Sequence, residues 1–166
     1  MDCYGLVALP KYRLPPLKNF SYAITVMIFL MILSGGLVAG TRAGIPYPTW
    51  PLMGDSFIPS GLYNMEPFWL SAFEDMLTIQ FNHRIFAYII SISVVIFAFI
   101  TLRAKLAPPF RIAIFSFLGI LGLQVTLGIS TLIFYIPIPV AAAHQVCAVA
   151  LLSASLFVSH CFKNSI

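Results

Sequence analysis

Four long apolar segments constrain the fold of this chain more than any other feature of its sequence. They cover about residues 19–40, 78–102, 110–135 and 139–162. Each holds at least the roughly 20 apolar residues that an α-helix needs to cross a bilayer. The pattern predicts an all-α membrane protein, folded as a four-helix transmembrane bundle.

Composition agrees with a membrane location. Hydrophobic residues make up 60% of the chain and charged residues 8%, against about a quarter charged in ordinary soluble domains. The 166 residues hold one bundle, residues 19–166, behind a polar lead of residues 1–18, and leave no room for a second domain. The first run is too long for a signal-peptide core. The net charge of +4 is scattered at the ends of apolar runs, which argues against nucleic-acid binding.

Residues 41–77 form the one long polar segment, which we expect to be an outer loop. Five prolines rule out a long continuous helix through much of it, and its many aromatic rings suit a loop lying at the membrane interface. We expect this segment to cover the bundle as a lid. The prolines are Pro46, Pro48, Pro51, Pro59 and Pro67.

The distribution of charge predicts the orientation. Basic residues collect on one side of a four-span arrangement, and the other side holds four acids with Arg42 and Arg84. Because cytoplasmic loops are enriched in Lys and Arg, both termini are expected on the cytoplasmic or matrix side of a bacterial or mitochondrial inner membrane, with lipid around the bundle. The short Ile136-Pro137-Ile138 link predicts a tight outer hairpin. The basic residues are Lys11, Arg13, Lys18, Arg103, Lys105, Arg111 and Lys163.

His83 and His144 are the candidate metal ligands. Each lies about five residues from the outer end of its span, roughly 7 Å deep at about 1.5 Å per residue, so the two imidazoles can face each other at one level. A bis-imidazole heme iron needs this arrangement. Zinc is the alternative, but it generally takes four ligands and only Cys147 lies nearby. Either histidine could also simply bond a carbonyl, and we interpret His160 as interfacial.

Arg84 directly follows His83, and Arg42 ends the first span on the same side. Heme propionates are carboxylates, and a guanidinium can hold a carboxylate through two hydrogen bonds. We therefore predict that both arginines contact the propionates. The alternative is that they extend to lipid headgroups or pair with Glu74 or Asp75.

Two glutamines lie inside the apolar spans. Gln80 is three residues before His83 and on its helix face, where it could orient the imidazole. Gln124 is interpreted as a packing residue beside glycines that leave room for a neighbour or a macrocycle. The cysteines, Cys3, Cys147 and Cys161, all fall outside the outer loop, so no disulfide is predicted there.

Taken together, five blocks resemble the second half of heme A synthase, in the form found in alphaproteobacteria and mitochondria. They occur in order and at suitable spacing, and the likeness covers nearly everything after Pro15. The blocks are Gly36 to Gly44, Thr49 to Met53, Gln80 to Arg84, Leu127 to Leu132, and Pro137 to Gln145.

The resemblance implies an eight-span fold of two four-helix halves, in which the second half is similar to a heme b holder whose histidine pair matches His83 and His144. The family is an oxidoreductase that converts a methyl group of heme O to the formyl group of heme A, for cytochrome c oxidase. Its first half carries an acidic residue where this chain has Gln80.

This chain carries one half only. Three explanations stay open: a truncated or decayed gene, a split enzyme whose other half is a separate chain, or a half-bundle that associates with itself. Two functions follow. Either the chain is the heme b half of a heme A synthase, acting on heme O when a first half is supplied, or it is a non-catalytic bis-histidine b-type heme or electron-transfer module. A structural membrane protein without a cofactor is a third hypothesis.

Overall fold

The computed structural model describes residues 15–104 and 108–163, and the regular structure in this part is helical apart from one isolated bridge between Met53 and Ser56. Four of its helices are long and apolar enough to cross a membrane. The predicted fold class, an all-α four-helix membrane bundle, is confirmed. In chain order the helices are α1 (Pro15–Gly40), a 3₁₀ turn (Phe68–Leu70), α2 (Ser71–Glu74), α3 (Met76–Arg103), α4 (Pro108–Ile133) and α5 (Ile138–Lys163).

Local chemistry sets the helix boundaries next to the outer loop. Asp75 caps α3, because its carboxylate accepts hydrogen bonds from the backbone N–H groups of Leu77 and Thr78, two donors that would otherwise be unpaired at a helix start. Helix α4 ends where Tyr135 and Ile136 adopt positive φ values of 58° and 59°. The chain then turns within a few residues and begins α5.

The four long helices form a closed square. Helix α1 packs against α3 and α5, and α4 packs against the same two helices, so α3 and α5 lie diagonally opposite each other. The start of α1 meets the end of α3 through the rings of Phe20 and Phe97, whose centroids are 5.6 Å apart. Helices α1 and α4 terminate at one side of the bundle, where α3 and α5 begin. We call this side the outer end and the opposite side the inner end.

Close apolar packing is concentrated in the inner part of the bundle. Phe97 and Phe110 both contact Phe162 edge to face, at centroid distances of 5.5 Å. Thr25 Oγ1 and Ser159 Oγ, 3.0 Å apart, join α1 to α5. The main buried apolar cluster comes from the inner portion of every long helix: Leu17, Ile24, Ile28, Ile90, Val94, Phe97, Ala98, Phe110, Ala113, Ile114, Phe117, Leu121, Leu151, Val158, Cys161 and Phe162.

The outer part of the bundle has a different interior. Several of its buried residues are polar, and among the described residues its few buried apolar side chains stand apart from the inner cluster. This part of the interior is therefore less filled by interlocking apolar side chains. The buried polar residues at this end are Ser71, Thr78, Gln80 and Arg84.

Some predicted features lie outside the described residues. Most of the predicted polar lead belongs to this group, together with Cys3, Lys11, Arg13 and Lys105. The orientation in the membrane stays a prediction.

We expect Phe97→Ala to destabilise the bundle strongly. Phe97 is 0% exposed, so truncation leaves a cavity and removes the contacts with Phe20 and Phe162. The loss should be roughly 2–4 kcal/mol, because the cavity term persists in a membrane although helix association lacks the drive that water supplies. Unfolding of detergent-solubilised protein by sodium dodecyl sulfate measures it. Phe115→Ala is the matched control: Phe115 is 55% exposed on α4, and equal losses in both variants would contradict this assignment of the core.

Candidate functional site

The two histidines singled out from the sequence lie in the outer part of the bundle. His83 is on α3 and His144 is on α5, the two helices that are diagonally opposite. His83 is the eighth residue of α3 and His144 is the seventh residue of α5, so the two rings lie at a similar distance from the outer end. The fold therefore brings both imidazoles towards one shared interior space.

The neighbouring helix α1 holds the His83 ring. The Nδ1 atom of His83 is 3.0 Å from Ser34 Oγ, and a Cβ atom added to Gly35 would lie 3.4 Å from Cε1 of the ring. When Nδ1 carries the proton it donates to the serine hydroxyl, and Nε2 then keeps its lone pair. Ser34 thus permits the tautomer that can bind a metal through Nε2, since its hydroxyl can accept as well as donate.

Helix α4 holds the His144 ring in the same manner. Nδ1 of His144 donates to the backbone carbonyl of Gln124 over 3.1 Å, and the Gln124 side-chain amide lies 3.4 Å from Nε2. A carbonyl can only accept, so the neutral ring carries its proton on Nδ1. A Cβ atom on Gly128 would be 2.8 Å from Cε1 of the ring, which is too close, so this contact requires glycine.

Each imidazole lies on one helix and is oriented by a neighbouring helix, α1 for His83 and α4 for His144. Such a partner on the second ring nitrogen is characteristic of metal-binding histidines, because it fixes the ring and increases the basicity of the metal-binding nitrogen. No group of three or more His, Cys, Asp or Glu side chains comes together among residues 15–104 and 108–163. The zinc alternative therefore finds no ligand set there, whereas a porphyrin brings four nitrogens of its own and needs two axial ligands.

Arg84 and Gln80 have partners in the outer loop. The terminal nitrogens of Arg84 donate to the carbonyls of Leu52, Tyr47 and Thr49 at 3.1, 3.0 and 2.7 Å. The Gln80 amide donates to the same Tyr47 carbonyl at 3.0 Å. These contacts differ from the predicted roles, in which Arg84 holds a propionate and Gln80 orients His83.

The remaining candidates lie at the edges of the site. Arg42 follows the outer end of α1, is exposed, and has a positive φ of 57°. Cys147 is buried one turn from His144 and is a free thiol that contacts the carbonyl of Ile120 at 3.8 Å. His160 is exposed near the inner end of α5, away from the other two histidines.

Sequence reasoning missed Ser34 as a partner of His83 and assigned Gln124 to packing alone. A signal for Gln124 was present. Gln124 and His144 stand at equal distances along the chain from the hairpin at Phe134, so an antiparallel pair of helices places them at one level. Ser34 had no comparable signal, because its helix is separated from α3 by the long outer loop.

Comparison with known proteins gives a consistent set of relatives. A family model described as cytochrome oxidase assembly protein, COX15-CtaA, matches residues 8–156. The chain is 44% identical over 144 residues to the heme A synthase of Nitrosospira multiformis, and the match covers 87% of this chain and 40% of that protein. It is 36% identical over 155 residues to the heme A synthase COX15 of Homo sapiens, covering 90% of this chain and 38% of that protein.

A third relative is the heme A synthase of Nitrosomonas eutropha, which is 41% identical over 142 residues, covering 86% of this chain and 40% of that protein. No solved structure matches the chain. The chain spans about 40% of the length of the curated relatives that it matches.

We expect Gly128→Ala to displace the His144 ring from Gln124. The added methyl group would meet the ring at 2.8 Å, well inside van der Waals contact, so the ring must turn and lose the bond at Nδ1. The ring ¹⁵N chemical shifts of histidine-labelled protein report this tautomer. Gly122→Ala is the matched control on the same helix, because its Cβ would meet nothing within 4 Å. Unchanged His144 shifts in Gly128→Ala would contradict the contact.

Proposed function

This chain belongs to the COX15-CtaA family of cytochrome oxidase assembly proteins, and from that premise we propose that it forms the heme b-binding half of a heme A synthase. One observation carries the proposal. Two imidazoles on diagonal helices each contact a neighbouring helix through Nδ1, so that Nε2 is the nitrogen that would bind a metal. The Gln124 amide, 3.4 Å from Nε2 of His144, would move aside when a metal binds. The two imidazoles are the donor set of a bis-histidine heme.

The residues present fit a heme. His83 and His144 would be its axial ligands, and the less densely packed outer interior would receive the macrocycle. The buried Oε1 atom of Gln124 has no hydrogen-bond partner, which is consistent with a polar group arriving beside His144. Arg42, exposed at the outer end, would contact a propionate. When bound, such a heme supplies reversible one-electron chemistry at its iron.

The protein residues around the site have defined tasks in this proposal. Ser34 and Gln124 hold the two Nδ1 protons and so keep both rings turned towards the interior. Small residues at Gly35 and Gly128 let the rings lie close to α1 and α4.

We propose that the chain contributes in this way to oxidation of a heme O methyl group to the formyl group of heme A, which cytochrome c oxidase uses. The chain contains three histidines, and only two of them lie in the outer part. The ligands for a second heme must therefore come from another four-helix half, whether in a longer form of the chain, on a separate chain or in a second copy.

A second candidate function is favoured by the same single imidazole pair. A bundle with one bis-histidine heme and no substrate site would serve as a non-catalytic b-type heme-binding or electron-transfer module. In both cases we place the protein in a bacterial or mitochondrial inner membrane, with both termini on the cytoplasmic or matrix side.

Purified from a heme-replete host, the chain should give a low-spin b-type signal in a reduced-minus-oxidised spectrum. His83→Ala and His144→Ala should each abolish this signal, because each removes one axial ligand. His160→Ala, at the inner end, is the matched control and should retain it. Retention of the signal in both ligand variants would refute the assignment.

Conversion of heme O to heme A should require a supplied first half. The chain alone offers one ligand pair, so chromatography of extracted hemes after incubation with heme O, dioxygen as the oxidant and a reductant should show no heme A. If the chain is half of a heme A synthase, addition of a four-helix half bearing the second histidine pair should produce conversion. If the chain is a non-catalytic heme module, conversion should stay absent. Turnover by the chain alone would show that one half is sufficient.

A further inference from the structure

The outer end of α3 holds the outer loop at two places. Near the start of the helix, the backbone N–H of Tyr63 donates to Thr78 Oγ1 at 3.2 Å, and the Tyr63 hydroxyl donates to Asn82 Oδ1 at 2.9 Å. Further along, Gln80 and Arg84 bind the segment 47–52. Helix α3 thus holds the outer loop both at Tyr63 and at the segment 47–52.

Arg84 makes most of the contacts with the segment 47–52. Its side chain is 9% exposed, and its two terminal nitrogens serve three carbonyls of an irregular segment. Carbonyls outside regular structure lack partners in a helix or sheet and take other donors, and hydrogen bonds from a charged group are the stronger kind. A lysine at this position would keep the charge, but it could not reproduce the planar fork that reaches all three.

The remaining polar atoms around Arg84 complement each other. Arg84 Nε is a buried donor without a partner, and Gln80 Oε1 is a buried acceptor without one. The two residues are four apart on one helix and share the Tyr47 carbonyl. The two unpaired atoms thus belong to one cluster, in which one is a donor and the other an acceptor.

We propose that Arg84 is a positioning residue that anchors the outer loop over the outer end of the bundle, and that it does not hold a heme propionate. Nη2 already donates both of its hydrogens, to the carbonyls of Tyr47 and Thr49. Each two-bond fork of a guanidinium uses one of these hydrogens, so a propionate could bind through two hydrogen bonds only by displacing a loop carbonyl. The segment 47–52 then stays bound at the outer end of α3, the helix that carries His83. The part of this inference that concerns heme exchange rests on the proposed function, and the anchoring itself does not.

The test uses the full chain in lipid nanodiscs, first without heme. Chymotrypsin cleavage after Phe57, which is exposed in the loop, reports how often the loop opens. Arg84→Lys should accelerate cleavage about tenfold or more, the effect of losing one or two net hydrogen bonds. Arg111→Lys is the matched control, because Arg111 is exposed near the start of α4 at the inner end, and this variant should cleave at the wild-type rate.

Gln80→Leu provides a second variant that keeps the guanidinium. It removes one donor to the Tyr47 carbonyl, so it should accelerate cleavage by a smaller factor in the same direction. If Arg84→Lys fails to fold, the Gln80→Leu rate decides the question. Wild-type cleavage rates in every folded variant at these two positions would overturn the anchor.

A second measurement follows transfer of heme from the loaded protein to apomyoglobin. If Arg84 anchors the loop, Arg84→Lys should preserve the b-type spectrum and accelerate heme loss, because the charge remains while the loop opens. If Arg84 instead contacts a propionate, Arg84→Lys should retain heme as the wild type does, and Arg84→Gln should lose heme. A protein that takes up no heme would refute the proposed function, and the cleavage rates would still decide the anchor.

Discussion

The hydrogen bond at Nδ1 of each imidazole is the interaction on which the outer part of this bundle depends. A neutral histidine has one donor and one acceptor nitrogen, and a partner that accepts from the first leaves the second as an acceptor that keeps its lone pair. The carbonyl of Gln124 imposes this choice on His144, and the hydroxyl of Ser34 permits it for His83. Because the partners come from α1 and α4, ring orientation is set by the packing of all four long helices.

That dependence explains why packing is divided along the bundle axis. The inner part holds a continuous apolar cluster with the rings of Phe20, Phe97, Phe110 and Phe162 in contact. Interlocked side chains of this kind keep helix positions fixed without a ligand. The outer part can then keep polar groups and small residues, because the inner part already holds the helices at their spacing. The proposed binding site and the stabilising apolar cluster are thus separated along one set of helices.

Apolar length and regular spacing made the fold predictable. Runs of more than 20 apolar residues determine where spans lie, and the short link at Pro137 determines which helices pair. The depth of His83 and His144 follows from the same counting. Contacts between side chains and loop carbonyls, such as those of Arg84 with Leu52 and Thr49, could not be predicted, because any residue type supplies a carbonyl and the path of an irregular loop has no periodicity to read.

The adjacent pair His83 and Arg84 shows why neighbours in sequence need not serve one ligand. Successive residues of an α-helix point about 100° apart, since a turn has 3.6 residues. When His83 faces the interior and meets Ser34 on α1, Arg84 must point to the side, where the loop segment 47–52 lies. Residues that share a direction are three or four apart, as Gln80 and Arg84 are. A propionate contact near His83 is therefore better sought on another element at the outer end, and Arg42 at the end of α1 meets that condition.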